Sequence, residues 1–342
     1  MVAQVHDPAL FADAGSAMTQ RGRPTDGVDP SVVKHQLEQW LIEVLDLDAE
    51  IQALSVPAWS GHGDQNWFVS VRDRAEVTAP VREWVLRIEN PTSVDLGVDF
   101  GLPFEVFSAL SNFSDVPVPR SIALELSSEY FGAPFFITER VRGREVEDHP
   151  PYAFAGWLWE ASVEEQRRVA NSVIDTVANL HLVDARQESF AFLQDGRTTI
   201  GTDSALARWR LLLDRCDDGR AAKAARSMWP LLLDGRRDDP PSRSICWGEA
   251  RLANMIFTDC TVGALLDFED VKLGAPEADV GSLLFRDEMM TQGLGLQPIP
   301  GFPSEGETLE RFGSLLGRDL ENIQWWKDFA QFRYLVKRAL RA

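Results

Sequence analysis

Three side chains whose oxygen atoms could take part in catalysis lie close together in the chain: Glu249, Asn254 and Asp267. The runs between them are apolar and predict two short buried strands, at 254–257 and 262–266, joined by a turn. Such a hairpin would bring the three side chains together. An acid can orient an attacking hydroxyl, and a carboxylate with an amide oxygen suits Mg²⁺ on nucleotide phosphates. The spacing therefore favours phosphoryl transfer, although a surface hairpin with scattered polar residues would show the same pattern.

The same segment resembles the catalytic region of the aminoglycoside phosphotransferase and choline kinase-like family. That family has His-Gly-Asp, four residues, Asn, and then a strand that ends in Asp-x-Asp/Glu. The order and spacing are similar in Trp247-Gly248-Glu249, Asn254 and Asp267-Phe268-Glu269. In an actinobacterial branch of the family, Trp-Gly-Asp commonly replaces His-Gly-Asp. The resemblance covers most of residues 30–342 and implies an α+β, two-lobed protein kinase-like fold, with a small β-rich N-lobe and a larger, mostly helical C-lobe.

The resemblance implies that the protein is an ATP- or GTP-dependent O-phosphotransferase, a kinase acting on a hydroxyl of a small molecule. Asp267 and Asn254 would bind Mg²⁺ and with it the nucleotide phosphates, and Glu249 would be the catalytic base. Arg251 would offset the charge on the transferring group, or it would form an ion pair with Glu249 or Glu269.

Glu249 departs from the family pattern, which has Asp at this position. Glutamate is about as basic as aspartate, but its extra methylene displaces the carboxylate, and a misplacement of about 1 Å can cost on the order of a hundredfold in rate. Two alternatives therefore stay open beside the kinase. One is a nucleotide-binding pseudokinase, and the other is a transferase of a nucleotidyl group on the same fold.

The region before the catalytic segment predicts the nucleotide-binding lobe. Its β-branched and aromatic runs predict three strands, at 53–59, 67–72 and 81–88. Between the first two, Gly61 and Gly63 would let backbone N–H groups approach phosphates closely. Asn66 stands where a kinase-type loop would have its third glycine, and glycines are also ordinary in a hairpin turn.

Further contacts with the nucleotide follow from the resemblance. Arg87, at the end of the third strand, would contact the α and β phosphates, and Glu105 on the next helix is the candidate for its ion-pair partner. The segment of Glu139 and Val141 would be the hinge, where backbone groups form hydrogen bonds with the adenine ring.

The resemblance and the change of pattern along the chain predict three parts. Residues 1–30 mix Asp, Gly, Pro and Ala without a period and are expected to form a mobile arm. Residues 31–141 would form the N-lobe, beginning with a helix capped by Ser31, and residues 142–342 would form the C-lobe with the catalytic hairpin and the helices that bind the acceptor.

Two residues of the C-lobe are expected to support the catalytic loop and its surroundings. Asp279 would brace the loop through hydrogen bonds, and His181 is expected to be a structural residue of the core rather than a ligand. Ser162 and Glu165 are spaced as a capping box at the start of the helix that leads to His181.

Composition limits the partners of the protein. A net charge of −19 argues against binding to nucleic acid or to an anionic membrane. It suits a cationic acceptor such as an amino alcohol or an aminoglycoside-like compound, although a solvated acidic surface would give the same charge. Three cysteines without paired spacing indicate neither zinc nor disulfides. No apolar run is long enough to span a bilayer, so the protein is expected to be cytoplasmic. The oligomeric state cannot be predicted from the sequence.

Overall fold

The computed structural model describes residues 28–57, 63–75, 78, 80–90, 97–236 and 243–341. Most of the predicted N-terminal arm, and Gly61 of the predicted phosphate loop, lie outside the described residues. No helix in these ranges is both long and apolar enough to cross a membrane.

The first half of the described chain is rich in strands. Its elements are α1 (Pro30–Leu45), β1 (Ala49–Ser55), β2 (Gln65–Asp73), β3 (Arg82–Ile88), α2 (Leu102–Phe113), β4 (Ser121–Glu125), β5 (Phe135–Glu139) and β6 (Arg144–Glu145). Five of these strands form one antiparallel sheet in the order β1-β2-β3-β5-β4.

The second half is mostly helical. Its helices are α3 (Trp157–Glu160), α4 (Val163–Leu182), α5 (Gly201–Asp214), α6 (Arg220–Asp234), α7 (Glu277–Met290), α8 (Glu305–Leu316) and α9 (Ile323–Leu340). Its short strands are β7 (Thr199–Ile200), β8 (Ser244–Cys246), β9 (Met255–Thr258), β10 (Thr261–Leu265) and β11 (Lys272–Gly274). Single turns of 3-10 helix lie at Glu188–Gln194, Leu252–Asn254 and Gln292–Leu294.

The antiparallel sheet buries one face against α1. Residues of β2 alternate between buried and half-buried, as expected for a strand with one face in a core, and β3 does the same. Helix α1 covers this face with Val33, Leu37, Trp40 and Leu41, which lie on one side of the helix. The sheet and α1 therefore share a core of their own.

The catalytic hairpin consists of β9 and β10, and β6 adds a third strand to it. Helix α4 packs against the hairpin, and Ser172 of this helix accepts a hydrogen bond from the backbone N–H of Val262 at 2.8 Å. Helix α9 packs on α6 and α7, and the aromatic rings of Trp325 and Phe329 stack on each other within it. The contact with α4 supports the hairpin from one side.

The structure confirms the fold class and corrects some boundaries. Asp29, not Ser31, caps α1, because its carboxylate accepts a hydrogen bond from the Ser31 N–H. The first strand begins at Ala49, four positions before the predicted start at residue 53. The capping box of Ser162 and Glu165 is confirmed.

Candidate active site

The catalytic segment is held in place by Asp279. One carboxylate oxygen accepts a hydrogen bond from the backbone N–H of Trp247 at 2.6 Å, and the other accepts one from Gly248 at 2.8 Å. The His181 ring lies 3.0 Å from the same carboxylate, and both side chains are buried. Because the ionised carboxylate accepts these bonds, they outweigh the effect of burial and hold the pKa of Asp279 below its usual value. Asp279 therefore braces the turn, and His181 is a buried structural residue.

Gly248 needs the conformational freedom of glycine. Its φ angle is +88°, and a Cβ atom on it would lie 2.1 Å from the backbone oxygen of Asp270. Because Gly248 has no Cβ, the turn that precedes Glu249 can contact the backbone of the segment that follows Asp267.

The structure brings the three side chains of the catalytic pattern together. The amide nitrogen of Asn254 donates to the Glu249 backbone oxygen at 3.0 Å and to the Asp267 carboxylate at 3.2 Å. Asn254 is buried and is the last residue of the 3-10 turn before β9. The strand therefore begins at Met255, one position after its predicted start. Asp267 follows β10 in the left-handed region of backbone conformation, with φ at 61°.

Acidic groups crowd around Asp267. Burial raises the pKa of Asp267, and the neighbouring carboxylates of Glu269 and Glu249 raise it further, to about 7. Arg87 acts in the opposite direction. The carboxylate oxygens of Asp267 and Glu269 are hard ligands of the kind that Mg²⁺ prefers, so these residues fit a divalent cation here. The Asn254 side chain turns its nitrogen toward Asp267 and its oxygen toward Arg251.

Cations of α9 surround Glu249. Lys337 and Arg333 both donate to the Glu249 carboxylate, the latter at 3.0 Å, and the side chain of Glu249 is only 11% exposed. Burial alone would raise its pKa, but Lys337, followed by Arg333 and Arg286, outweighs burial and holds the pKa below its usual value. Glu249 is therefore ionised, as an acceptor of a hydroxyl proton must be.

Asp270 shares the same cations. Its carboxylate accepts hydrogen bonds from Arg208 at 2.7 Å, Lys337 at 2.8 Å and Arg333 at 3.1 Å. These three cations overcome the effect of burial and hold the pKa of Asp270 well below its usual range. Asp270 and Glu249 are thus tied together through α9.

Arg251 has a different partner from either of the predicted ones. Its guanidinium donates to Asp148 at 2.6 Å and to the Asn254 side-chain oxygen at 3.1 Å. The prediction of an ion pair with Glu249 or Glu269 is wrong, because the segment after β6 places the Asp148 carboxylate beside Arg251. Arg251 therefore fixes the orientation of the Asn254 amide.

The predicted pair of Arg87 and Glu105 is also wrong. Arg87 donates to Asp64 at 2.7 Å and to Glu269, whereas Glu105 accepts two hydrogen bonds from Arg197 at 2.7 and 2.8 Å. Glu105 lies in the first turn of α2 and faces the loop of Arg197, so it does not reach β3. Arg87 instead ties the sheet to the segment after Asp267.

The described part of the predicted phosphate loop lies beside Arg87. Asn66 of β2 is the cross-strand partner of Arg87 of β3. Gly63 accepts a hydrogen bond from the Asn90 side chain at 3.2 Å. Among the described residues other than its chain neighbours, no atom lies within 4 Å of the position that a Cβ on Gly63 would take. The described end of the loop is therefore anchored to Asn90.

The predicted hinge residues lie between the sheet and the helical region. Glu139 is the last residue of β5 and its side chain is exposed. Within the described ranges, the backbone N–H of Val141 has no backbone hydrogen-bond partner. A ligand that binds this N–H would therefore displace no backbone partner from the described part of the chain.

Sequence reasoning missed the cations around Glu249. Arg333 and Lys337 lie four residues apart on α9, so both can reach one partner, but the sequence does not show which acid they approach. Arg286 of α7 reaches Glu249 only at 4.0 Å. Their positions depend on how α7 and α9 pack, which a sequence pattern does not specify.

Comparisons with known proteins agree with this architecture. A family model described as the phosphotransferase enzyme family matches residues 32–318. A provisionally named aminoglycoside phosphotransferase from Ralstonia eutropha JMP134 superposes with a TM-score of 0.64 at 22% identity, covering 87% of this chain and 85% of that one. A macrolide 2'-phosphotransferase from Brachybacterium faecium gives 0.53 at 18% identity, over 84% and 86% of the two chains.

A third solved structure, the GDP and kanamycin complex of an aminoglycoside phosphotransferase, gives a TM-score of 0.57 at 14% identity, over 88% of this chain and 89% of that one. At these identities the solved structures show a shared fold, and the family model covers most of the sequence. The chain therefore belongs to the phosphotransferase enzyme family and has its two-lobed, kinase-like α+β fold.

Proposed function

We propose that the protein transfers the γ-phosphoryl group of ATP or GTP to a hydroxyl of a small molecule. The observation that carries this proposal is the hydrogen-bonded group of Glu249, Asn254 and Asp267 in a chain of the phosphotransferase family. Residues 31–141 would bind the nucleotide and residues 142–342 would supply the catalytic hairpin and the acceptor pocket.

The nucleotide would lie between the sheet and the catalytic segment. Gly61, Gly63 and Asn66 would face its phosphates, and Arg87 would neutralise part of their charge. The free N–H of Val141 and the backbone of Glu139 would bind the base. Glu105 has no part in this arrangement, because it is fully engaged with Arg197.

Asp267 and Asn254 would hold Mg²⁺. When bound, the ion would supply positive charge that neutralises the nucleotide phosphates. To bind it, the Asn254 amide would turn its oxygen, which accepts a hydrogen bond from Arg251, toward Asp267.

Glu249 would accept the proton of the acceptor hydroxyl. A carboxylate with a lowered pKa is a weak base, but it can still orient the hydroxyl and take its proton late, when the bond to phosphorus has largely formed. Lys337 and Arg333 would keep the carboxylate ionised until it takes the proton.

A nucleotide-binding pseudokinase is the second candidate, and the engagement of Glu249 with Lys337 and Arg333 favours it. Incubation with ATP or GTP, Mg²⁺ and a panel of alcohols, followed by mass spectrometry, separates the possibilities. Transfer predicts a product heavier by one phosphate together with a nucleoside diphosphate. A product that carries a nucleoside monophosphate would show a nucleotidyltransferase, and Mg²⁺-dependent nucleotide binding without any product would show a pseudokinase.

A further inference from the structure

A cavity of about 380 Å³ lies beside the catalytic segment. Helices α4, α7 and α8 and the loop before α8 enclose it, and Asp148 and Arg251 form the side nearest to Asn254. Much of its wall is hydrocarbon, contributed by Val173, Ile174, Leu283, Leu284, Phe302 and Phe312. Its size and mixed lining are typical of a site for a small molecule.

Most charged groups that line the cavity already have a protein partner. Arg251 is paired with Asp148 at 2.6 Å. Lys327 is paired with Glu288 at 3.0 Å and with Glu305 at 2.8 Å.

Asp287 is engaged in a different way. It accepts a hydrogen bond from the Tyr152 hydroxyl at 2.9 Å. These pairs satisfy much of the polar lining of the cavity without a ligand.

Arg286, which also lines the cavity, differs from these groups in its hydrogen bonding. Its side chain is only 17% exposed, yet within the described ranges its guanidinium donates no hydrogen bond, and its nearest carboxylate is that of Glu249 at 4.0 Å. It rests on the Tyr334 ring, with 4.8 Å from the guanidinium carbon to the ring centre. Burial, and after it the neighbouring Arg251 guanidinium, lower the pKa of Arg286. A buried cation with no hydrogen-bonded anion is costly unless a ligand supplies one.

We propose that this cavity binds the phosphoryl acceptor and that the acceptor is a hydroxycarboxylic acid with a hydrocarbon body, whose carboxylate pairs with Arg286. The inference rests on the proposed function. The guanidinium offers the carboxylate two parallel donors, and the apolar wall covers the hydrocarbon. A carboxylate suits this wall better than a phosphate group, which carries more charge and needs more hydrogen-bond donors.

The position of Arg286 also explains how the hydroxyl would be presented. Arg286 lines the cavity and its guanidinium lies 4.0 Å from the Glu249 carboxylate, so a carboxylate bound to Arg286 would hold a hydroxyl of the same molecule near Glu249. The hydroxyl oxygen then bonds to the γ-phosphorus and the bond from that phosphorus to the bridging oxygen breaks. The proton passes to Glu249, and the nucleoside diphosphate leaves.

The total charge of −19 favoured a cationic acceptor, but the charges of the cavity lining nearly balance. Four acids, Asp148, Asp287, Glu288 and Glu305, and three cations, Arg251, Arg286 and Lys327, line the cavity, and Arg286 is the one of them with no hydrogen-bonded partner among the described residues. Nearby charges act more strongly on a bound ligand than the distant surface does, since salt screens the latter.

The test compares three acceptors of one carbon skeleton: medium-chain hydroxycarboxylic acids, their methyl esters and the matching amino alcohols. The acids should be phosphorylated with Mg²⁺ and ATP or GTP, and the esters and amines should be poor acceptors. Arg286→Gln should raise the KM for the acid roughly ten- to a hundredfold and leave the nucleotide KM unchanged. Arg210→Gln removes the same charge from an exposed ion pair on α5 and should leave both KM values unchanged.

A binding measurement keeps the proposal testable without turnover. Octanoate should bind the wild-type protein in isothermal titration calorimetry and fail to bind Arg286→Gln. Better turnover of the amines than of the acids would overturn the inference while the kinase function stands. The inference would also be overturned if octanoate did not bind the wild type or bound Arg286→Gln equally well. A rise in the nucleotide KM of Arg286→Gln would overturn it too. Absence of Mg²⁺-dependent nucleotide binding in the wild type would overturn the proposed function itself.

Discussion

At the scale of single residues, the unusual feature of the site is a glutamate held by cations. Lys337 and Arg333 reach the longer side chain of Glu249 from α9. An aspartate would draw the carboxylate back from them by about one bond length. The site is therefore built around the longer acid.

Glu249→Gln should leave nucleotide affinity nearly unchanged and lower kcat by roughly 10²- to 10⁴-fold, because the amide cannot take the proton. Glu249→Asp should also be slower, by about a hundredfold, since its carboxylate is misplaced. Steady-state kinetics would measure both, with the exposed Glu188→Gln as the control. A faster Glu249→Asp enzyme would contradict this view of the pocket.

The sequence identified the acids and the amide of the site but not their ionic partners. Glu249, Asn254 and Asp267 were recognised because a local pattern places them on one hairpin. The partners of Arg87, Glu105 and Arg251 lie far away in the chain, for example 92 positions between Glu105 and Arg197. Such pairs depend on tertiary packing, so a sequence pattern alone could not predict them.

At the scale of elements, the turn before Glu249 depends on a close approach of two backbone segments. Gly248→Ala should lower the free energy of unfolding by roughly 2–4 kcal/mol, because its Cβ would meet the Asp270 backbone and its φ angle is unfavourable for alanine. Urea denaturation would measure the loss.

Gly306→Ala is the matched control. This glycine lies within α8, and no described atom outside its chain neighbours and the backbone of its own helix lies within 4 Å of the position of a Cβ. Alanine should therefore raise stability by up to about 1 kcal/mol. Equal effects of the two substitutions would contradict the role given to the turn.

Helix α7 carries a carboxyl group that destabilises the fold when ionised. Burial raises the pKa of Asp287 from 3.8 to about 6. An acid with a raised folded-state pKa keeps its proton longer in the folded state, so stability falls as the pH rises from about 4 to about 6 and stays lower above that.

Asp287→Asn should therefore be more stable than the wild type at pH values above about 6, by about 1–2 kcal/mol after allowance for partial exposure. The difference should shrink as the pH falls and disappear below about pH 3, where the side chain is protonated in both states of the wild type. Thermal unfolding across this pH range would show it, with the exposed Asp115→Asn as the control. A difference that is independent of pH would count against the assignment.

At the scale of the whole molecule, the two lobes meet where the charges of the site are concentrated. Arg87 of the sheet contacts Glu269 of the C-lobe, close to the Asp267 carboxylate. The overall architecture was predictable, because strand-rich and helix-rich regions follow each other along the sequence. The ion pairs of the site were not, because they join residues from distant parts of the chain.

Calorimetric titration with a non-hydrolysable ATP or GTP analogue, with and without Mg²⁺, tests the central claim most directly. The wild type should bind the analogue much more tightly with Mg²⁺ than without it, and Asp267→Asn should lose that difference. Binding that is equally tight with and without Mg²⁺, or the same Mg²⁺ dependence in Asp267→Asn, would contradict the claim that Asp267 holds the metal and nucleotide for phosphoryl transfer.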